Sequence, residues 1–526
     1  MNRLLRILQF VVIAVLLIAE TASASNITVS NISIVSRNDA AKYAVVQFDV
    51  TWDYSFRNGT GALENWDAAW VFLKYQKVGN EAMGYYHGTL SGIANHTIPT
   101  GYTGNQPTDN KGIFLYRSAT GHGTATLTGV KLRWEYGTDG VDLTTNVNLK
   151  VFATEMVYVP TGAFWLGTES DGANQEYGFT KGAPATWMEP YKVTSENAIV
   201  MANSAGNLWA QGGGHVTGLT LAASYPKGYA AFYCMKHEIT QKAYVDFLNT
   251  LTRNQQGYRV NTGSIGTTTS VTNRYVMGNN SSMVYRNGIR CDATLPAAPT
   301  PVEFYCDYDG DGVKNEDTDG QNIACGYLGW TNLAAYLDWA ALRPMTELEF
   351  EKAARGPVYP TPNELAWGSI DYTKLGTNFS TALLDLGKAT ERPATAGVNC
   401  NLGGNTYLTR VGFATNDTTT RAQSGASYWG ITELSGNAVE TCVTVYNQGG
   451  YGYTYTGLNG DGALDGNGYH NAANWPATNG YGASWRGATP DNAYWYSAIS
   501  NRSWANRASD DITTWYCGGR GVRTAP

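Results

Sequence analysis

Between Ile27 and Phe152 the chain runs in short strand-like segments, ITVSNISIV, YAVVQFDVTW, AAWVFLKY and NVNLKVFA, parted by turns rich in Gly, Asn and Thr. Alternation with a period of two turns one face of each segment inward, so the pattern predicts an antiparallel β-sandwich over residues 25–152. After Met156 the pattern changes. MVYVPTGAFWLGT reads as strand, Pro-Thr-Gly turn and strand, and FYCMKHEITQKAYVDFLNTL as a strand followed by a helix. The stretch from Gly329 to Pro357, GWTNLAAYLDWAALRPMTELEFEKAARGP, predicts two short helices around a Leu342-Arg343-Pro344 corner. Thr331 is placed to cap the first of them. Thr346 with Glu349 spells a capping box for the second, which Gly356 and Pro357 end. The expected class is α+β and loop-rich, with an N-terminal antiparallel β-sandwich and a second domain over residues 153–526.

Composition agrees with few helices and many turns: the 526 residues include 60 Gly, 35 Tyr and 16 Trp. The formal net charge is −7, with 36 Lys plus Arg against 43 Asp plus Glu. A nucleic-acid binder needs a basic surface to displace counterions, so that class is excluded as an expectation. At the N-terminus Arg3 and Arg6 precede the apolar run Ile7 to Ala19 and the small-residue site Ala22-Ser23-Ala24. This predicts a signal peptide over residues 1–24, cut after Ala24, and a protein that is secreted or held at the cell surface. No later segment is long and apolar enough to predict a transmembrane span. Seven cysteines leave at least one thiol outside any internal pairing, and Cys291, Cys306 and Cys325 lie close enough in sequence to staple one local loop.

The wording of Gly329 to Pro357 resembles a signature block of the formylglycine-generating enzyme family, the sulfatase-modifying factors. Four further blocks follow that family's order: Met156 to Thr168; Phe232 to Leu251, with Glu238, Thr240, Tyr244 and Phe247 at matching places; Tyr428 to Thr441, YWGITELSGNAVET; and the end, with Trp485-Arg486-Gly487, Ser500-Asn501-Arg502 and Gly521-Val522-Arg523. Residues 168–228 and 253–324 exceed the family's compact pattern and read as surface insertions. The resemblance implies a variant of the C-type lectin fold. It also implies an oxygen-dependent oxidoreductase acting on a substrate cysteine through two copper-binding cysteines near the C-terminus. Soft thiolate ligands are what Cu(I) requires. From Trp485 to Tyr516 there is no cysteine, and Cys517 stands alone, so no copper site and no catalytic residue is expected; residual oxidase activity of this type is the alternative reading.

Calcium is the expected cofactor. The run DYDGDGVKNEDTDG supplies Asp307, Asp309, Asp311, Asn315 and Asp317, alternating oxygen donors with glycine between them, the arrangement that wraps a hard cation. Thr318 stands where an EF-hand loop has Glu, so this is not a regular EF-hand. The family resemblance implies a second calcium loop at Glu433, Gly436, Ala438 and Glu440. Tyr494, Trp495, Tyr496, Asn501, Trp504 and Asn506 form the expected contact surface, since aromatics interleaved with amides suit a glycan or a protein ligand. The sequence thus predicts an exported, calcium-stabilised, non-catalytic binding protein.

Overall fold

The computed structural model describes residues 22–24, 27–59, 61–169, 178–182, 189–210, 218–416, 418–446, 452–506 and 513–526. Of the expected leader only Ala22–Ala24 falls within them, as a short strand paired with Ile27 to Val29. Strands dominate, mostly antiparallel, with short helices and long irregular connections.

Strands β1 (Ile27–Asn38), β2 (Tyr43–Asn58) and β4 (Gly121–Trp134) form one layer, with β2 between its two partners. Alternation in β2 is clean: Val46, Phe48, Val50 and Trp52 are buried and the residues between them are half-exposed. The facing layer is built on β3 (Asn65–Lys77) and β5 (Val147–Val159), paired antiparallel from Asp67↔Val157 to Lys77↔Val147. The segment AAWVFLKY in β3 does not alternate in burial as the sequence suggested, and all eight of its residues are buried. Ala69, Val71 and Leu73 face the core shared with the first layer, whereas Ala68, Trp70 and Phe72 face a second core. A strand covered on both sides reads as a continuous apolar run.

Strand β5 also pairs with β6 (Phe232–Met235), from Phe232↔Val159 to Met235↔Met156. Strand β6 pairs with the C-terminal β11 (Gly521–Thr524), which pairs in turn with β7 (Arg343–Pro344). The junction expected between residues 152 and 153 therefore falls inside a strand, and one sheet carries strands from both sides of it. Strand β8 (Val439–Val443) forms a second, small sheet with β9 (Ala483–Arg486) and β10 (Cys517–Gly518). The expected insertions hold structure of their own: a four-stranded sheet within 179–221, and a hairpin of Ile289–Cys291 with Phe304–Cys306.

Helix α1 spans Gln241–Leu248, α2 Trp330–Trp339 and α3 Glu347–Arg355. Thr331 lies inside α2, whose N-cap is Gly329; the Gly329 carbonyl accepts the Leu333 amide at 3.0 Å, and no side chain caps this end. The capping box of α3 is complete, with Glu349 N donating to Thr346 Oγ1 at 3.1 Å and Thr346 N to Glu349 Oε2 at 3.0 Å. Gly356 ends the helix at φ +71°, a conformation that favours glycine.

Every residue of α3 is buried, charged ones included. Glu347 meets Arg502 at 2.8 Å and Arg486 at 3.4 Å; Glu351 meets Arg486 at 2.9 Å and Arg355 at 3.1 Å; Glu349 meets Arg343 at 2.6 Å. Burial pushes the Glu347 carboxyl up, but Arg502 and Arg486 outweigh it and hold the group below the usual glutamate range. All seven cysteines are free and buried. The staple expected among Cys291, Cys306 and Cys325 is not made: register sets Cys291 opposite Phe304 and Cys306 opposite Ile289. Among the described residues, no helix is long and apolar enough to cross a membrane.

Removing one partner from a buried ion pair strands the other charge. Glu347→Gln is expected to lower unfolding free energy by about 3–5 kcal/mol in denaturant titration. Glu189→Gln, at the exposed Lys181 pair, should cost less than about 1 kcal/mol. Because the folded Glu347 value is depressed, its stabilisation is complete above the ordinary glutamate range and is lost as pH falls through the folded value. The gap between wild type and Glu347→Gln should therefore narrow on acidification; a gap independent of pH would contradict the lattice.

Candidate functional site

The acidic loop follows the strand Phe304–Cys306. Positive φ at Gly310 (+81°) and Gly312 (+87°) lets the chain curl so that Asp307, Asp309 and Asp311 each bring an oxygen within 4.8 Å of the others. Asp307 is buried, ion-paired with Arg290, and accepts the amide of Gly310 at 3.1 Å. Asp309 and Asp311 are exposed, accepting the Asp311 and Val313 amides at 3.3 and 2.7 Å. Asn315 is exposed, and Asp317 leans outward to within 3.9 Å of Lys388. Asp319, the last acid of the run, is buried like Asp307. Its Oδ2 accepts the Glu316 amide at 2.6 Å, whereas Oδ1 has no hydrogen-bond partner. Burial pushes its carboxyl up to about 6, reinforced by Asp309, Glu316 and Asp311. The three clustered carboxylates of Asp307, Asp309 and Asp311 suit a hard cation.

Glu433, Gly436, Ala438 and Glu440 lie on the segment that leads into and begins β8, and all four are placed there by extended pairing or by a hydrogen bond, Gly436 N donating to the Gly487 carbonyl at 2.7 Å. Glu433 accepts the Gly412 amide at 2.8 Å, and Arg520 Nε donates to Glu440 Oε1 at 2.6 Å. Glu440 Oε2 is buried without a hydrogen bond. A third carboxylate joins them: Glu238 accepts the Ala438 amide at 2.8 Å and the Asn437 side-chain amide at 2.5 Å. Burial first, then Glu440 and Glu433, push Glu238 well up. The three acids face the Arg520 guanidinium, with Arg410 and His237 beside Glu433.

The C-terminal aromatics form a chain of rings. From one end, Tyr372 stacks on Tyr494 at 5.5 Å between centroids, Tyr494 meets Trp495 at 5.6 Å, Trp495 meets Tyr496 at 5.8 Å, and Tyr496 stacks on Trp504 at 5.3 Å. The chain goes on through Trp485 at 6.1 Å and Tyr516 at 5.9 Å to Trp515 at 5.3 Å, and ends on Tyr285, stacked at 5.2 Å. Trp495, Tyr372 and Tyr285 are exposed at 39%, 38% and 43%, Trp485 is buried, and the others are half-buried. Such a strip presents apolar faces with hydroxyl and indole edges. Asn501 is buried and bonded internally, donating to the Trp495 carbonyl at 3.1 Å and accepting the Ser503 amide at 2.9 Å. It shapes the strip without facing out, whereas Asn506 is exposed.

Tyr285, Tyr372, Trp485, Trp515 and Tyr516 were not legible as members of this surface, because Tyr285 and Tyr372 come from segments far away in sequence. Burial raises every cysteine thiol, Cys234, Cys291 and Cys400 to about 12. No family model matches the chain, and no curated protein matches it significantly.

The raised Asp319 carboxyl gives the acidic loop a pH signature. A carboxyl held protonated in the fold loses stability as pH rises from the ordinary aspartate range through about 6. Bound calcium needs the ionised form. The melting-temperature increment produced by calcium over EDTA is therefore expected to grow between about pH 4 and 7, and to shrink in Asp319→Asn. An increment of zero at pH 7 would remove calcium from both loops.

Proposed function

We propose that the protein is an exported, calcium-stabilised, non-catalytic relative of the formylglycine-generating enzymes that binds a glycan or protein ligand at the cell surface through the aromatic strip. The observation that carries the reading is the unbroken ring contact from Tyr372 to Tyr285, which assembles the exposed faces of Tyr285, Tyr372 and Trp495 from three separate parts of the chain. Stacked rings are already ordered, so a ligand laid across them loses little side-chain freedom of the protein.

The family assignment rests on the resembling blocks of sequence. Of these, Glu238 and Glu440 lie together with Arg520, while the capping-box helix makes its own buried pairs with Arg343, Arg486 and Arg502. Export rests on the leader pattern of residues 1–24. The non-catalytic reading is supported by the thiols: reactive cysteines are accessible and have lowered pKa values, and each of the seven here is buried and raised.

A glycan and cell-surface-protein array probed with the mature protein tests this. Trp495→Ala and Trp504→Ala are each expected to weaken binding about tenfold or more, the size of a central aromatic contact, with the unfolding midpoint of Trp495→Ala unchanged. Binding untouched by both substitutions would rule the strip out. Aldehyde gained by a cysteine-containing peptide incubated with the protein and copper would instead establish the oxidase.

A further inference from the structure

Where the three central strands of the large sheet meet, Asp67 of β3, Glu155 of β5 and Lys236, one residue past β6, converge on the same face. Lys236 Nζ lies 2.9 Å from Asp67 Oδ2 and 3.1 Å from Glu155 Oε2, and the three side chains are 4%, 0% and 2% exposed. The backbone locks this arrangement, because the Lys236 amide donates to the Glu155 carbonyl at 2.9 Å. Asp67 is held by further donors. Ser55 Oγ and the Phe56 amide both reach Oδ1 at 2.9 Å, and Trp52 Nε1 reaches Oδ2 at 3.1 Å. Glu155 differs, since beyond the Lys236 and His237 contacts its oxygens accept no further donor. The Phe56 ring sits 5.7 Å from Nζ and helps to wall the cluster off from bulk water.

An amine, the carboxyl it touches and a second carboxylate with free lone pairs are the parts of an amide-forming site. We propose that Lys236 and Asp67 condense to an intramolecular isopeptide bond, with Glu155 as the proton carrier. This proposal does not depend on the ligand-binding reading.

The step balances within the chain. The Lys236 ammonium gives a proton to Glu155, and the freed amine attacks Asp67 Cγ, forming the C–N bond. Charge gathers on Oδ1, where the Ser55 hydroxyl and the Phe56 amide are already aimed. The amine nitrogen loses its second proton by way of Glu155. Oδ2 takes up both protons, the C–Oδ2 bond breaks, and one water leaves. Nothing is oxidised or reduced, and Glu155 ends as it began. The two carboxylates hold the resting lysine charged, so the proton transfer to Glu155 is the step that the dry surroundings must favour. They do so because the product removes two charges from the interior. The departing water has a route: Lys236 lines a cavity of about 390 Å³ whose wall also includes Tyr428 and the exposed Asn58. His237 Nε2 lies 3.7 Å from Glu155 Oε2. The bond would tie β3 to β6 across β5, bracing the shared sheet in a chain whose cysteines are all free.

Mass spectrometry of the purified wild-type protein is decisive. The intact protein should be lighter than its sequence by one water. Trypsin should fail to cut after Lys236, and the Asp67 and Lys236 peptides should appear as one branched species. Lys236→Arg keeps the cation but cannot form the amide, and Glu155→Gln keeps the shape but cannot carry the proton; each should restore the full mass and give the Asp67 peptide in linear form. A wild-type protein of full mass with linear peptides at both residues overturns the proposal. A branched peptide that persists undiminished in Glu155→Gln would overturn the role given to Glu155.

Discussion

The buried ion lattice around α3 is the constraint on which the rest of the molecule depends. Glu347, Glu349 and Glu351 point from one short helix toward Arg343, Arg486 and Arg502, and no member of these pairs is more than 2% exposed by side chain. Charges so deep are tolerable only if each has its partner at hydrogen-bonding distance. The position of α3 is thereby tied to the strand Ala483–Arg486 and to the turn that carries Arg502, the same elements that bear the aromatic strip. Loss of a single partner would leave a bare charge where water cannot reach.

That rigidity explains how a chain with short helices and long connections can present an ordered surface. The strip has no secondary structure of its own beyond one 3-10 turn, Tyr494–Ser497. It is held from beneath by Trp485 on β9 and by Arg502 pinned to Glu347. The acidic loop is set by the same logic, since Arg290 fixes Asp307 at its root and leaves Asp309 and Asp311 to solvent. The buried charges of Asp67, Glu155 and Lys236 likewise join β3, β5 and β6 of the large sheet.

Much of this was legible in local wording. The capping box at Thr346 and Glu349 and the stop at Gly356 are local interactions, and they occur where the sequence put them. The alternation of β2 likewise reports one buried face. Thr331 misled because a capping residue is chosen by where the helix axis begins, and packing of Trp330 in the core started the helix earlier. The aromatic candidates between Tyr494 and Trp504 do lie together, but their partners Tyr285 and Tyr372 could not be read, because ring contacts at long sequence separation leave no periodic trace.

The sequence by itself determined which segments become strands or helices, where the glycines must turn, and which short runs carry acids or rings. Those are consequences of side-chain period and of backbone freedom, both local. Tertiary structure alone decided that AAWVFLKY would be covered on both faces, that residues 147–159 would run as one strand through an expected junction, and that Lys236 would meet Asp67. Strand pairing and charge burial join residues hundreds of positions apart, and their energies depend on surroundings that no single stretch of chain contains.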